Sequence, residues 1–236
     1  MAIIGIPFRY QELKDRRPIL YLSERVRRTI QKAGGEILML TPVQDVDYFH
    51  TRGNEFEELT DREKKIIEKY LDKCDGLFIP GGNKFTPYDR YVLERAIDKK
   101  IPTLGVCLGM QIMSFYGESE IKLEENNTHI NHKQENDNEL THKVRISNDS
   151  ILCKILNKEE IMVNSFHTKH ASENNIYNTV AYSEDGLIEA IEYPGNFFNM
   201  GIQWHPEISY DFDDDSKKII DYFINEAEKY GNDKRK

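Results

Sequence analysis

The chain has 236 residues, 39% of them hydrophobic, which is enough for one well-packed domain. Its formal net charge of −9 excludes an extended nucleic-acid surface, because phosphate binding needs a surplus of Lys and Arg on one face. No apolar stretch approaches the ~18 residues of a membrane span, and the cysteines (Cys74, Cys107 and Cys153) are odd in number and far apart, so neither a disulfide framework nor a CxxC pair is expected.

Ile3–Ile6 is a β-branched run ended by Pro7, read as a buried first strand and too short for a secretory leader. Ser23 can cap a helix carrying Val26, Ile30 and Ala33, which Gly34-Gly35 stops before a strand over Glu36–Leu40. Thr60 with Glu63 forms a capping box, and Ile66, Ile67, Tyr70 and Leu71 follow as an apolar face. Gly76–Pro80 reads as a strand running into Gly81-Gly82. A helix over Asp89–Lys99 follows, with Tyr91, Leu93, Ala96 and Ile97 inward, and then a strand over Ile101–Val106. This alternation predicts a mostly parallel sheet with helices on both faces.

The rhythm changes after Gly117. Residues 118–142 are polar and aperiodic, which predicts a surface excursion. Short strands are expected over Lys143–Ile146, Ile161–Asn164, Thr179–Tyr182, Leu187–Glu192 and Met200–Trp204. A last amphipathic helix should bury Ile219, Ile220, Phe223 and Ile224. The acidic run at Asp211, Asp213, Asp214 and Asp215 and the basic tip Lys234–Lys236 read as solvated surface. With no repeat and no linker, residues 1–236 read as a single domain.

Three segments carry chemistry. Gly105-Val106-Cys107-Leu108-Gly109 is the thiol form of the nucleophile elbow, with a sharp turn between strand and helix that lifts Cys107 clear of the sheet. A helix N-terminus there favours a thiolate. His205-Pro206-Glu207, just after an apolar strand, pairs a base with a carboxylate that can fix its tautomer. Pro80-Gly81-Gly82 can turn a backbone N–H toward an oxyanion, with the Leu108 N–H as second donor.

In this order and spacing the segments resemble the class I glutamine amidotransferase superfamily, and within it the stand-alone γ-glutamyl hydrolases, the γ-glutamyl-γ-aminobutyrate hydrolases among them. The likeness runs from Ile3–Ile6 through Asp75–Gly82, Gly105–Gln111 and His132-Lys133-Gln134. It continues into Val163-Asn164-Ser165-Phe166-His167, Asp185–Glu192 and Gly201–Glu207.

The resemblance implies an α/β flavodoxin-like three-layer sandwich, with a central mostly parallel sheet and a smaller antiparallel addition in the C-terminal half. It implies Cys107 as nucleophile, His205 as base and Glu207 as its orienter. Gly81, Gly82 and Leu108 would serve the oxyanion, and Gln111, Ser165, Phe166 and His167 would lie beside a bound γ-glutamyl group. The implied partner is a small-molecule γ-glutamyl amide, cleaved to glutamate and an amine through a thioester. No metal or organic cofactor is called for, and no histidine spacing suggests a metal site; His50, His129, His142 and His170 read as loop or surface positions. No nucleic acid or membrane partner is expected, a homodimer stays open, and a reducing cytoplasm is the expected location.

The same triad serves glutaminase subunits that pass ammonia to a synthetase, but the Asn164–His167 and Asp185–Glu192 segments favour the free-standing hydrolase. Two stretches depart from the pattern, Asn83–Tyr88 and Gly117-Glu118-Ser119-Glu120. With Val43–Leu59, the loops at Asn83–Tyr88 and Glu118–Asn138 are expected to select the leaving amine.

Overall fold

A computed structural model of the chain describes residues 1–13, 17–51, 55–118 and 123–236. Ser119 and Glu120, and part of the Val43–Leu59 loop, lie outside the described residues.

The chain begins with strand β1 (Ile3–Pro7), a hairpin of β2 (Arg9–Glu12) and β3 (Pro18–Tyr21), helix α1 (Glu24–Lys32) and strand β4 (Glu36–Leu40). Ser23 stands at the N-cap of α1, but its side chain makes no capping bond. The capping box of α2 (Asp61–Leu71) forms as expected, because its chemistry is confined to four consecutive residues: Thr60 N–H donates to Glu63 Oε2 at 2.7 Å and Glu63 N–H to Thr60 Oγ1 at 3.3 Å. Strand β5 (Gly76–Ile79) leads to helix α3 (Pro87–Asp98), which starts two residues earlier than the sequence suggests. Thr86 caps it, its N–H donating to Asp89 Oδ2 at 2.9 Å, and Pro87 takes the first helical position, where no N–H is needed. Val92, Leu93, Ala96 and Ile97 are buried on it, while Tyr91 is only half-buried and donates its hydroxyl to Glu68.

Then come β6 (Thr103–Val106), α4 (Leu108–Ser114), β7 (Leu123–Glu125), β8 (His142–Ile146), α5 (Ile151–Leu156), β9 (Glu160–Val163) and β10 (Lys169–Ala171). The chain closes with β11 (Asn178–Ser183), β12 (Ile188–Glu192), β13 (Asn199–Ile202), α6 (Pro206–Ser209) and α7 (Asp214–Lys234). In α7 the expected Ile219, Ile220, Phe223 and Ile224 are all buried. The acidic run before it is not wholly solvated surface: Asp213 accepts the Ser216 N–H as N-cap, and the buried Asp215 pairs with Lys158.

One nine-stranded sheet runs in the order β4-β1-β5-β6-β13-β12-β11-β8-β9. β4 through β13 pair in parallel, and from β13 to β9 every pairing is antiparallel. The antiparallel strands thus extend the parallel sheet directly. Helices α1, α5 and α7 bury their apolar faces in the core on one side, while α2, α3 and α4 fill the core on the other. This is the expected three-layer α/β architecture, with helices on both faces of the sheet. The 118–142 excursion is not all surface: β7 pairs with β10, and His132 and Gln134 are buried.

Candidate active site

Strands β6 and β13 are parallel neighbours in register, Val106 opposite Ile202, so both chains leave the sheet at the same edge. Cys107 follows the first and His205 lies three residues past the second. Cys107 N–H donates to Ile202 O at 2.8 Å, and the cysteine itself adopts φ 53°, ψ −106°. That left-handed backbone in a non-glycine residue stores about 1–3 kcal/mol and is characteristic of a strained functional turn. The flanking glycines have steric reasons. A Cβ at Gly109 would lie 2.1 Å from the Ile79 carbonyl oxygen, and one at Gly105 would lie 2.3 Å from Met113 Sδ.

The His205 ring and the Cys107 side chain both face Gly81, and the ring's Nδ1 lies 2.7 Å from Glu207 Oε1. Burial disfavours the imidazolium, but the Glu207 carboxylate and Cys107 outweigh it and hold the His205 pKa well above the ordinary histidine value. The backbone of His205 is fixed by Asn164, whose amide donates to His205 O at 2.8 Å and accepts the His205 N–H at 2.8 Å. Thr29 on α1 donates its hydroxyl to Glu207 O at 2.9 Å.

Gly81 packs against both reactive side chains: a Cβ there would lie 2.9 Å from His205 Cε1 and 3.4 Å from Cys107 Cβ. Its segment is clamped from behind by Arg9. Arg9 Nη2 donates to Pro80 O at 2.8 Å and Nε to Gly81 O at 3.2 Å, while Nη1 pairs with Asp89 at 2.8 Å in the interior. Leu108 is the first residue of α4, so its N–H has no partner within the helix.

Two cavity lobes share Gly82, Asn83, Cys107 and Phe166. One, about 350 Å³, extends to Gln111, Lys133 and His167-Thr168-Lys169. The other, about 310 Å³, extends to Arg9, Tyr21, Arg25 and Ile208. Gln111 is held by the Lys169 carbonyl at 2.9 Å and Gln203 Oε1 at 3.2 Å. Phe166 presents its ring edge-on to His205 at 5.6 Å. An isolated bridge to Lys133 uses the His167 N–H and Ser165 O, so the Phe166 N–H and C=O point away from Lys133.

The side chains of Ser165 and His167 face elsewhere. They join a buried group with His132, His142 and Glu189, where Ser165 Oγ lies 3.4 Å from His132 Nδ1. Burial pushes the Glu189 pKa up to about 7 and that of His167 down to about 4. His142, expected at the surface, is buried here. Asn164 and Arg9 also went unassigned in the sequence: Asn164 grips a backbone 41 residues away, and Arg9 is a lone arginine after a strand, with nothing local to mark its partners.

The Peptidase C26 family model matches residues 87–207, more than half of the chain, a span that contains Cys107, His205 and Glu207. The chain belongs to the Peptidase C26 family. Among relatives of this Peptidase C26 member, the glutamine amidotransferase-like protein YvdE of Lactococcus lactis is 29% identical over 205 residues, covering 76% of this chain and 86% of its own. The γ-glutamyl-γ-aminobutyrate hydrolase PuuD of Escherichia coli is 27% identical over 176 residues, covering 61% of this chain and 68% of its own. A solved GMP synthase subunit from Thermoplasma acidophilum superimposes with a TM-score of 0.66 at 16% identity, over 100% of this chain and 98% of its own, and so shares the fold. The protein is thus a hydrolase of the glutamine amidotransferase-like class. Among its described residues no helix is long and apolar enough to cross a membrane.

Proposed function

We propose that this Peptidase C26 member hydrolyses γ-glutamyl amides as a free-standing enzyme, with Cys107, His205 and Glu207 as its triad. The observation that carries the reading is that Cys107, His205 and Glu207 line one lobe together, with His205 Nδ1 2.7 Å from Glu207. His205 takes the thiol proton as Cys107 Sγ attacks the γ-carbonyl. The oxyanion meets the Leu108 N–H and the Gly81-Gly82 segment, where donors fixed in advance stabilise charge at little reorganisation cost. His205 then protonates the leaving amine, leaving a γ-glutamyl thioester on Cys107. Water, deprotonated by His205, attacks the thioester and releases glutamate and the free thiol. Glu207 keeps the His205 Nδ1–H directed at itself, so Nε2 is the nitrogen that handles protons.

The lobe with Gln111 and Lys133 suits the zwitterionic head of the glutamyl group, Lys133 offering a cation to the α-carboxylate. The lobe with Tyr21 and Arg25 is left for the amine. The relation to a γ-glutamyl-γ-aminobutyrate hydrolase supports the choice of bond. The test is amine release by the isolated chain, without ATP or partner, from a panel of γ-glutamyl amides and free glutamine. Turnover of the amides is expected. Release from glutamine alone, and only once a synthetase is added, would reject the free-standing hydrolase.

A further inference from the structure

Behind the Phe166 wall of the site, Glu189 on β12 is completely buried. Neither of its carboxylate oxygens has a hydrogen-bond partner among the described residues. Three imidazoles converge on one of those oxygens: His132 Nδ1 at 3.5 Å, His142 Nε2 at 3.6 Å and His167 Nε2 at 3.6 Å from Oε1. All three rings are 96% buried or more. At these separations the contacts are too long for good hydrogen bonds and too short for a bridging water.

The outer nitrogens say what the inner ones must be. His132 Nε2 lies 2.9 Å from Asp185 Oδ2, and His142 Nδ1 lies 3.3 Å from the Lys143 carbonyl. His167 Nδ1 lies 3.1 Å from the Lys169 carbonyl, with the Asn126 amide nitrogen also at 3.1 Å. A carboxylate or carbonyl oxygen is satisfied by a ring N–H, so the neutral His132 and His142 rings carry their protons outward and turn a lone pair inward, whereas His167 Nδ1 faces a carbonyl and an amide donor alike and its contacts fix neither tautomer. The inward nitrogens of His132 and His142 then face the unpartnered Glu189 carboxylate, with only the Ser165 hydroxyl near His132 Nδ1, an arrangement of acceptors that a bound cation relieves, as a shared proton would. His132 Nδ1, His142 Nε2 and a Glu189 oxygen lie within 4.8 Å of one another. Ligands bound at 2.0–2.1 Å to a tetrahedral ion stand about 3.4 Å apart, and the His132 and His142 nitrogens lie 3.5 and 3.6 Å from Glu189 Oε1.

We propose that His132, His142 and Glu189 hold a divalent transition-metal ion of the zinc class. Imidazole and carboxylate ligands suit such an ion, and a carboxylate holding the outer nitrogen of a ligand histidine is the usual supporting arrangement. The ion ties β8, β12 and the 126–134 segment together, next to the Phe166-His167 stretch that borders the active-site lobe. It is a structural centre, distinct from the triad. No sequence spacing could reveal it, because the ligands come from three separate segments.

The test uses the full, untagged chain expressed in zinc-supplemented medium and assayed by elemental analysis after dialysis. About one equivalent of zinc is expected, and Cys107→Ser should retain it, which separates this centre from the thiol site. Removal with dipicolinate should lower Tm by several degrees, with recovery on adding Zn²⁺. Co²⁺ added to the metal-free protein should give the visible absorption of a tetrahedral N/O site. Glu189→Gln and His142→Ala should each lose the stoichiometric metal. If a variant does not fold, the wild-type measurements decide alone. Wild-type protein that keeps no metal, shows no Tm response to Zn²⁺ or Co²⁺ and gives no cobalt spectrum overturns the proposal, leaving a proton-sharing His–Glu group. Zinc that is lost in Cys107→Ser overturns it too.

Discussion

His205–Glu207 and the group of His132, His142, His167 and Glu189 use the same residue types and reach opposite electrostatic results. In the first, burial is outweighed by the charge of Glu207, 2.7 Å from the ring, and then by Cys107, and the histidine pKa is raised. In the second, ring and carboxylate stand 3.5–3.6 Å apart without hydrogen bonds, so burial dominates, lowering the pKa of His167 and raising that of Glu189. The shorter contact and the added Cys107 make the first a charged pair, while the longer contacts and mutually opposing rings leave the second as uncompensated polar groups. The first arrangement suits proton transfer near neutral pH; the second suits ligation.

The comparison breaks most easily at the triad. Cys107→Ala and His205→Ala should each lower kcat by about 10⁴-fold or more, because members of such a unit fail together. Cys74→Ala should leave turnover near wild type. Burial pushes the Cys74 thiol up to about 12, so iodoacetamide should modify Cys107 well before it. Mass spectrometry of briefly labelled protein reads the order, and equal modification of both would break the assignment of Cys107.

Glu207→Gln sharpens the contrast by converting the first arrangement toward the second. Loss of tautomer control should cost about 10²–10⁴-fold in kcat. The pH dependence has a definite sign. The folded pKa of His205 is raised, so the stability the pair contributes is fully present below the unfolded histidine value of ~6.5 and is lost as pH rises through the folded value. Urea unfolding of wild type and Glu207→Gln should therefore differ most in mildly acidic buffer and converge as the solution becomes alkaline. A gap that widens with pH would contradict the raised pKa.

How much of this was legible in the sequence depends on range. Caps and the elbow are written within a few residues, so the Thr60 box, the Gly105–Gly109 turn and the strands around them could be read directly. The β2–β3 hairpin was missed because Arg9-Tyr10-Gln11-Glu12 has no apolar alternation, and α5 because six residues give too little periodicity. Burial of His142 and the Asn164 clamp depend on partners tens of residues away. A polar residue's environment there is set by the antiparallel strand register, which spacing does not encode.

Arg9 offers a third and smaller test, on a residue that supports the triad without joining it. It holds the Pro80 and Gly81 carbonyls, and so aims the segment that faces the oxyanion. Arg9→Lys keeps the charge opposite Asp89 but loses the planar fork that serves three carbonyls and a carboxylate at once. On the order of 10- to 100-fold loss in kcat is expected from the displaced donors, with KM changed much less. Arg9→Met would instead leave Asp89 buried and unpaired at a cost of about 3–5 kcal/mol in stability, readable as a lower urea midpoint. A KM effect alone in Arg9→Lys would assign the clamp to binding and not to the oxyanion.

The smallest effects should divide the two lobes. Asn83–Tyr88 was expected to choose the leaving amine, yet only Asn83 of that stretch lines the lobes that contain Cys107. Phe85 lines a neighbouring apolar groove with Ile112 and Phe115. Lys84 also borders that groove, and its ammonium is engaged by the Thr51 carbonyl and the Tyr10 and Phe56 rings, each 5.5 Å away. Lys84→Ala should thus register as lost stability of about 0.5–2 kcal/mol, with substrate ranking unchanged. Tyr21 borders the lobe assigned to the amine. Tyr21→Ala should shift kcat/KM unequally across γ-glutamyl amides, by up to about 1–3 kcal/mol for an amine that packs on the ring. Lys133→Ala, in the other lobe, should depress all substrates by a similar factor, since every one presents the same glutamyl head. Should Lys133→Ala prove selective and Tyr21→Ala uniform, the lobes have been assigned the wrong way round and the glutamyl group sits beside α1.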